Sequence, residues 1–463
     1  MTDIKDIPSS FRDPSGVLFL FKDKLYRRIH NCYKEDYDRV MDSGLYETLI
    51  KDNLLIPHDE VTIDGIDSTN IYKIIKPEFI DFISHPYEWS FSQLKDAALL
   101  TLKIQKTALD YGMSLKDCSA YNIQFVRGRP IFIDTLSFER YKDGRPWVAY
   151  RQFCQHFLAP LALMGLKDVR LNQFMRIYID GIPLDLTSSL LPVKTWMNFG
   201  ILFHIHLHAR SQKRYKDRFI KKEKYRMSRS SLISLIDNLI SSVRRLRWSG
   251  EGTEWSDYYK ISNYSERAME SKVKAFKEII DSFEPGIVWD LGANDGFFSR
   301  IIAKKAIYVI SFDMDPACVE KNYLKCKEDN EKNILPLLMD LTNPSPDIGW
   351  QNTERMSFLR RSSADTVVAL ALIHHLCISN NIPFEKLAIF FKKISHFLII
   401  EFIPETDSQV KRLMSCMDID YPNYTREVFE KVFSKYFFIH KTFHITESER
   451  IIYFMEKISQ DDK

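Results

Sequence analysis

The sequence contains no Cys-x-x-Cys pair, and its seven cysteines (Cys32, Cys118, Cys154, Cys318, Cys326, Cys377 and Cys416) are odd in number and widely scattered. That pattern argues against a zinc site or a disulfide framework and fits a reducing cytoplasm. No apolar run approaches the ~20 residues that a membrane-spanning helix needs. The longest, Val367 to Leu376, is interrupted by His374 and His375, and the N-terminus is charged where a signal peptide has its apolar core. An excess of one charge is missing too: 65 Lys+Arg against 62 Asp+Glu leave +3, which gives no strong nucleic-acid signal. Glycine and proline, 15 and 18 of 463 residues, are too few for low-complexity sequence. A cytoplasmic globular chain of two or three folded units is expected.

Three regions differ in pattern. Residues 1–204 open with the hairpin-like GVLFLFKDKLYRRI, in which Lys22 to Lys24 form a polar turn. From Phe91, apolar residues Leu94, Ala98, Leu99 and Leu102 recur at helical steps, and strand-like IQF and IFI flank a turn at Arg127 to Pro130. This region reads as an α+β accessory domain. Residues 205–261 read as a basic helical linker, with ten Lys/Arg over 210–229 against Asp217 and Glu223. An apolar stripe follows from Ile233 to Val243, so peripheral membrane contact through 210–247 is one reading and a solvated interdomain helix the other. Residues 262–463 alternate strands (IVWDLG, AIYVISFD, LPLLMD, TVVALAL, FLIIEF) with turns or helices. The alternation predicts an α/β domain with a mostly parallel sheet covered on both faces. YFFIHKTFHI and RIIYFMEKI, with no helix between them, add an antiparallel pair.

In the third region Asp290-Leu291-Gly292-Ala293-Asn294-Asp295-Gly296 ends the first strand and opens a helix, a turn that lets a ligand approach the backbone at a helix N-terminus. Seventeen residues after Gly296, Asp313 ends the second strand, where a carboxylate can accept both hydroxyls of a ribose. Asp340 closes the third strand and Ala369 to His375 the fourth. This ordered series resembles the class I S-adenosylmethionine-dependent methyltransferases, with their Rossmann-like seven-stranded sheet whose last strands are antiparallel. The resemblance implies S-adenosyl-L-methionine as cofactor. Asp290, Gly292, Asn294 and Gly296 would then line its methionine end, Asp313 would hold the ribose and Asp340 with Leu341 would sit beside the adenine, with Ala293, Met314 and Ala369 as further cofactor-binding candidates. Asn294 replaces the family's middle glycine, a position that asparagine tolerates because it adopts left-handed backbone. The final helix-packing glycine of a dinucleotide-binding GxGxxG is absent, since Phe298 and Ser299 follow Gly296.

Asn343-Pro344-Ser345-Pro346 with Gly349-Trp350, and the run Ala369 to Leu376, are similar to a bacterial methyltransferase group that includes nodulation-associated proteins of the NoeA kind, a likeness that extends back to Ser10-Phe11-Arg12-Asp13-Pro14. The reaction this implies is methyl transfer to an oxygen of a small molecule or glycan precursor. The donor is already activated, so alignment is the main requirement, with removal of the acceptor's proton besides. His374, His375 and Glu401 are candidate bases; packing at the strand end and hydrogen bonding to a loop are their structural alternatives. Trp255, Tyr258, Tyr259 and Tyr264 form either an aromatic lid or linker packing.

In the first region Asp117 and Asn122, then Asp134 after a strand–turn–strand, resemble the catalytic loop and metal-binding aspartate of the protein-kinase and aminoglycoside-phosphotransferase fold. Leu115 stands where that family has histidine, and no glycine-rich loop precedes the early strands. No metal is therefore expected, Asn122 and Asp134 serving as magnesium ligands only if the resemblance extends to activity; otherwise the three cap turns. The function expected is a methyltransferase, with a bifunctional phosphotransferase or a recruiting N-terminal module as alternatives. Oligomeric state leaves no signal in the sequence.

Overall fold

The turn at Lys22 and Asp23 takes positive φ at both residues, 50° and 59°, the geometry that matches the twist of a two-residue hairpin. It joins β2 (Gly16–Phe21) to β3 (Lys24–His30). The computed structural model describes residues 4–66, 69–215, 226–250, 265–415 and 423–459; Cys416, the expected lid aromatics and much of the basic block lie outside them. The chain forms two compact units, residues 1–249 with 347–356 and residues 250–346 with 357–463.

In the first unit β2 and β3 join β1 (Ile4–Asp6), β4 (His58–Val61) and β5 (Ile71–Pro77) in an antiparallel sheet ordered β1-β2-β3-β5-β4. A capping box between Ser90 and Gln93 starts the long helix Phe91–Asp110, whose Leu94, Ala98, Leu102 and Ile104 are buried. The short strands β6 (Met113–Leu115) and β9 (Phe138–Arg140) pair with each other, and β7 (Ile123–Val126) with β8 (Arg129–Phe132). Only Arg127 and Gly128 make the turn of this second hairpin; Pro130 lies in β8 opposite Phe125.

The helix Arg229–Arg245 is not a solvated linker. Leu232, Ile236, Leu239 and Val243 are buried, and the helix packs on Phe91–Asp110, with Lys106 Nζ 2.8 Å from Asp237 and Lys95 Nζ 2.8 Å from the Leu246 carbonyl. Its apolar stripe is spent inside the first unit and is unavailable to a membrane. The expected boundary near 204 therefore moves to 249, and residues 347–356 return to this unit.

In the second unit the sheet has seven strands: β10 (Ile287–Leu291), β11 (Tyr308–Asp313), β12 (Ile334–Leu338), β13 (Ala364–Ala369), β14 (Ser395–Phe402), β15 (Phe437–His444) and β16 (Ile451–Lys457). Their order is β12-β11-β10-β13-β14-β16-β15; the first five are parallel, and β16 and β15 run antiparallel to their neighbours. Residues Val288 to Leu291 are all buried, as a strand covered on both faces requires. Phe276, Ile279, Phe298 and Ile302 pack with Val288, Val309 and Ile399 into the core beneath one face. The strand order reverses between β10 and β13, and ligands of open α/β sheets bind outside the strand ends at such a point. Asp340 stands two residues beyond β12 rather than closing it.

Candidate functional site

Beyond β10 the chain turns through three left-handed residues, Gly292 (φ 75°), Asn294 (φ 50°) and Gly296 (φ 81°). A Cβ on Gly292 would meet Leu372 at 3.3 Å, and one on Gly296 would lie 2.5 Å from the Asn322 amide. The turn is tied to the neighbouring strand. The amides of Gly292 and Ala293 both donate to the Phe312 carbonyl at 2.9 Å, and the Asn294 amide donates to Asp313 Oδ2 at 2.7 Å. Asp313 Oδ1 accepts the Asp315 amide at 2.8 Å, and the Met314 amide bonds the same carboxylate. The Asn294 side chain accepts the Asp295 amide at 2.8 Å, the local bonding that makes asparagine workable at positive φ.

Asp290, Gly292, Ala293, Asn294, Asp313, Met314, Asp340, Leu341 and His375 line one pocket at these strand ends. Burial pushes the Asp290 carboxyl up to about 7, against the Ser299 hydroxyl that donates to it at 2.6 Å. Burial likewise takes Asp313 up to about 6, opposed by the amides that bond it. The Thr342 amide and hydroxyl donate to Asp340 Oδ1 at 2.8 and 2.6 Å, closing the turn after β12. His375 is lowered to about 4 by burial, so its imidazole is neutral near pH 7.

Four expected site residues stand elsewhere. Gly296 caps the helix Phe297–Ile302 and is not among the residues lining the pocket. Ala369 is fully buried as the last residue of β13, and Leu370, Ala371 and Leu372 reach the pocket instead. His374 is buried behind His375, their ring centroids 4.0 Å apart, and burial holds it well below the usual imidazole range. Glu401, with no exposure, pairs with Lys272 Nζ at 2.7 Å and accepts the Ala371 amide at 2.7 Å. Its carboxylate is committed to holding the left-handed peptide of Ala371 (φ 50°), which removes it as a candidate base.

Met269, Lys272, Phe298, Thr342 and Asn380 also line the pocket and were not anticipated. Lys272 left a signal. It shares the face of the helix Glu266–Ile280 that buries Ala268, Ala275, Phe276 and Ile279, and a charge on an apolar stripe needs a partner.

In the first unit, Arg27, 8% exposed, binds the Asp134 carboxylate with one nitrogen and Asp13 Oδ2 at 2.6 Å with another. Asp134 also accepts the Ser137 hydroxyl and, at 3.1 Å, the Leu136 amide. Burial alone would raise its carboxyl, yet Arg27 and these donors hold it below the usual range. Asp117 accepts the Ser119 amide at 2.9 Å and the Gln152 amide at 2.8 Å, and Asn122 donates to the Ser137 hydroxyl at 3.3 Å. Asp117 and Asp134 accept amides of their own turns, whereas Asn122 bonds Ser137, 15 residues on. Among the described residues no group of three or more His, Cys, Asp or Glu is arranged to hold a metal ion.

No protein-family model matches the chain. Solved structures similar to it include the magnesium protoporphyrin IX methyltransferase of Synechocystis PCC 6803 with bound S-adenosyl-L-homocysteine, 16% identical over 44% of this chain and 94% of that one (TM-score 0.32). The N-methyltransferase NodS of Bradyrhizobium japonicum WM9 is 9% identical over 44% and 93% (TM-score 0.33). At such scores the fold class rests on the strand order itself. The nodulation protein NoeA of Rhizobium meliloti (strain 1021) is 31% identical over 97% of this chain and 96% of its own length. The chain belongs to the family of that nodulation protein, and its second unit has the Rossmann-like seven-stranded sheet of class I methyltransferases.

Proposed function

We propose that this protein binds S-adenosyl-L-methionine across the carboxyl ends of β10 to β13 and transfers its methyl group to an oxygen of a small molecule or glycan precursor. The observation that carries the reading is the join between Asp313 and the Asn294 amide, which fixes a ribose-binding carboxylate against the glycine turn. In this arrangement Asp290, Gly292, Ala293 and Asn294 face the methionine moiety, Asp313 and Met314 the ribose, and Asp340 with Leu341 the adenine. When bound, the cofactor supplies an electrophilic methyl group on a positively charged sulfur. The protein's part is to align an acceptor with that group, a contribution of about 7–11 kcal/mol for well-oriented reactants. His375, neutral and on the pocket wall, is the residue that takes or relays the acceptor's proton.

Phosphoryl transfer by the first unit is disfavoured, because Asp134 is neutralised by Arg27. A role in recruiting the acceptor or its carrier suits that unit better. Calorimetric titration of the full chain with S-adenosyl-L-homocysteine tests the cofactor. Mass spectrometry of metabolite and glycan extracts from cells with and without the protein, searched for pairs differing by one CH2, tests the acceptor. Binding lost in Asp313→Ala and a CH2 difference on oxygen support the proposal; unchanged affinity in that variant, or methylation on nitrogen, contradicts it.

A further inference from the structure

One face of the first unit is apolar where it meets solvent. Val193 and Met197 on a short turn are 84% and 88% exposed, and Phe199, Phe203 and Leu207 on the helix that follows are 63%, 46% and 38% exposed. The last three are spaced i, i+4, i+8 and share one side of the helix; the rings of Phe199 and Phe203 lie 4.5 Å apart. The same helix buries Ile201, Ile205 and Ala209 on its other side, so the inward face is already satisfied and the outward one is still hydrophobic. Its base is rigid. His206 is fully buried, bonded to the Ser188 hydroxyl at 2.7 Å and the Thr195 hydroxyl at 2.9 Å, and Trp196 stacks on its ring at 4.3 Å.

Two cations border this face. Arg210 lies over the Trp196 ring at 4.4 Å, and Lys194 is exposed on the turn. From residue 193 to 211 the sequence has Lys194 and Arg210 and no Asp or Glu. We infer that this face, Val193, Met197, Phe199, Phe203 and Leu207 with Lys194 and Arg210, seats the protein on an anionic lipid surface, the apolar side chains entering the headgroup boundary and the cations meeting lipid phosphates. A second copy, bringing two equally cationic patches together, gains no charge complementarity from Lys194 and Arg210, whereas an anionic lipid surface does. The site is not the helix 229–245, whose apolar side is buried, and the inference does not depend on the methyltransferase reading.

The test is co-sedimentation of the full chain with phosphatidylcholine vesicles, with and without phosphatidylglycerol, at low and high salt. The protein is expected to sediment with the anionic vesicles and to be released by salt, each cation near the surface being worth about fivefold in partition. The double substitution Met197→Asp/Phe203→Asp should lower partition at least about tenfold with an unchanged melting temperature, while Met197→Leu/Phe203→Leu should sediment like the parent. Failure of the parent to sediment, or equal sedimentation of the aspartate variant, overturns the inference. So does lipid-free dimerisation of the parent that the aspartate variant abolishes, which would assign the face to a second copy.

Discussion

Replacing Asp313 by alanine removes a carboxylate that does two things at once. It accepts the Asn294 and Asp315 amides at 2.7 and 2.8 Å, and it lines the pocket. A hydrogen bond to a charged group contributes about 1.5–3 kcal/mol, so the affinity for S-adenosyl-L-homocysteine should fall by roughly 10- to 150-fold. Asp313→Asn, which keeps one acceptor oxygen, should fall between parent and alanine variant. The effect should also depend on pH, because burial raises the Asp313 carboxyl to about 6. Such a group is about ten parts carboxylate to one part acid at pH 7 and the reverse at pH 5. Affinity in the parent should therefore weaken by up to about tenfold from pH 7 to pH 5, the protonated acid losing the charge that strengthens its bonds to the ribose. That step should shrink in Asp313→Asn, leaving the part due to Asp290, whose carboxyl burial raises to about 7. Calorimetry on the full chain, with melting temperature as a control for folding, is the assay. Equal affinity in parent and Asp313→Ala across this range would refute the assignment of the ribose carboxylate.

Asn294→Gly should bind cofactor like the parent, whereas Asn294→Val, forced to φ near 50°, should lose about 1–2 kcal/mol and weaken binding; chemical denaturation and calorimetry read the two effects. Lys272→Met leaves the buried Glu401 carboxylate without its cation and should cost about 3–5 kcal/mol. The double variant Lys272→Met/Glu401→Leu should recover part of that stability in urea unfolding, and no recovery would contradict the pairing. Asp134→Asn should lower the melting temperature by weakening the Arg27 cluster, with no magnesium-dependent ATP binding in the parent or the variant. Transfer of labelled phosphate by the parent, lost in Asp117→Ala, would contradict that expectation.

The second unit was legible because its signals are local. A glycine turn after IVWDL, a carboxylate ending YVISFD and two closing strands without a helix between them each depend on short-range geometry. The misreadings share a different origin. The stripe Ile233 to Val243 announces an apolar face, but periodicity does not say which surface covers it, and here the helix Phe91–Asp110 does. The membership of residues 347–356 in the first unit and the Lys272–Glu401 pair join positions far apart in sequence. Only its lysine partner distinguishes Glu401 from a catalytic base. Arg27 likewise sits in the first hairpin, 107 residues from the aspartate it neutralises.

The most direct measurement is a competitive titration of the full chain with S-adenosyl-L-methionine and with a nicotinamide dinucleotide. The account predicts one S-adenosyl-L-methionine per chain, displaced by S-adenosyl-L-homocysteine and indifferent to the dinucleotide. No binding of S-adenosyl-L-methionine, or its displacement by the dinucleotide, would contradict the assignment of the pocket.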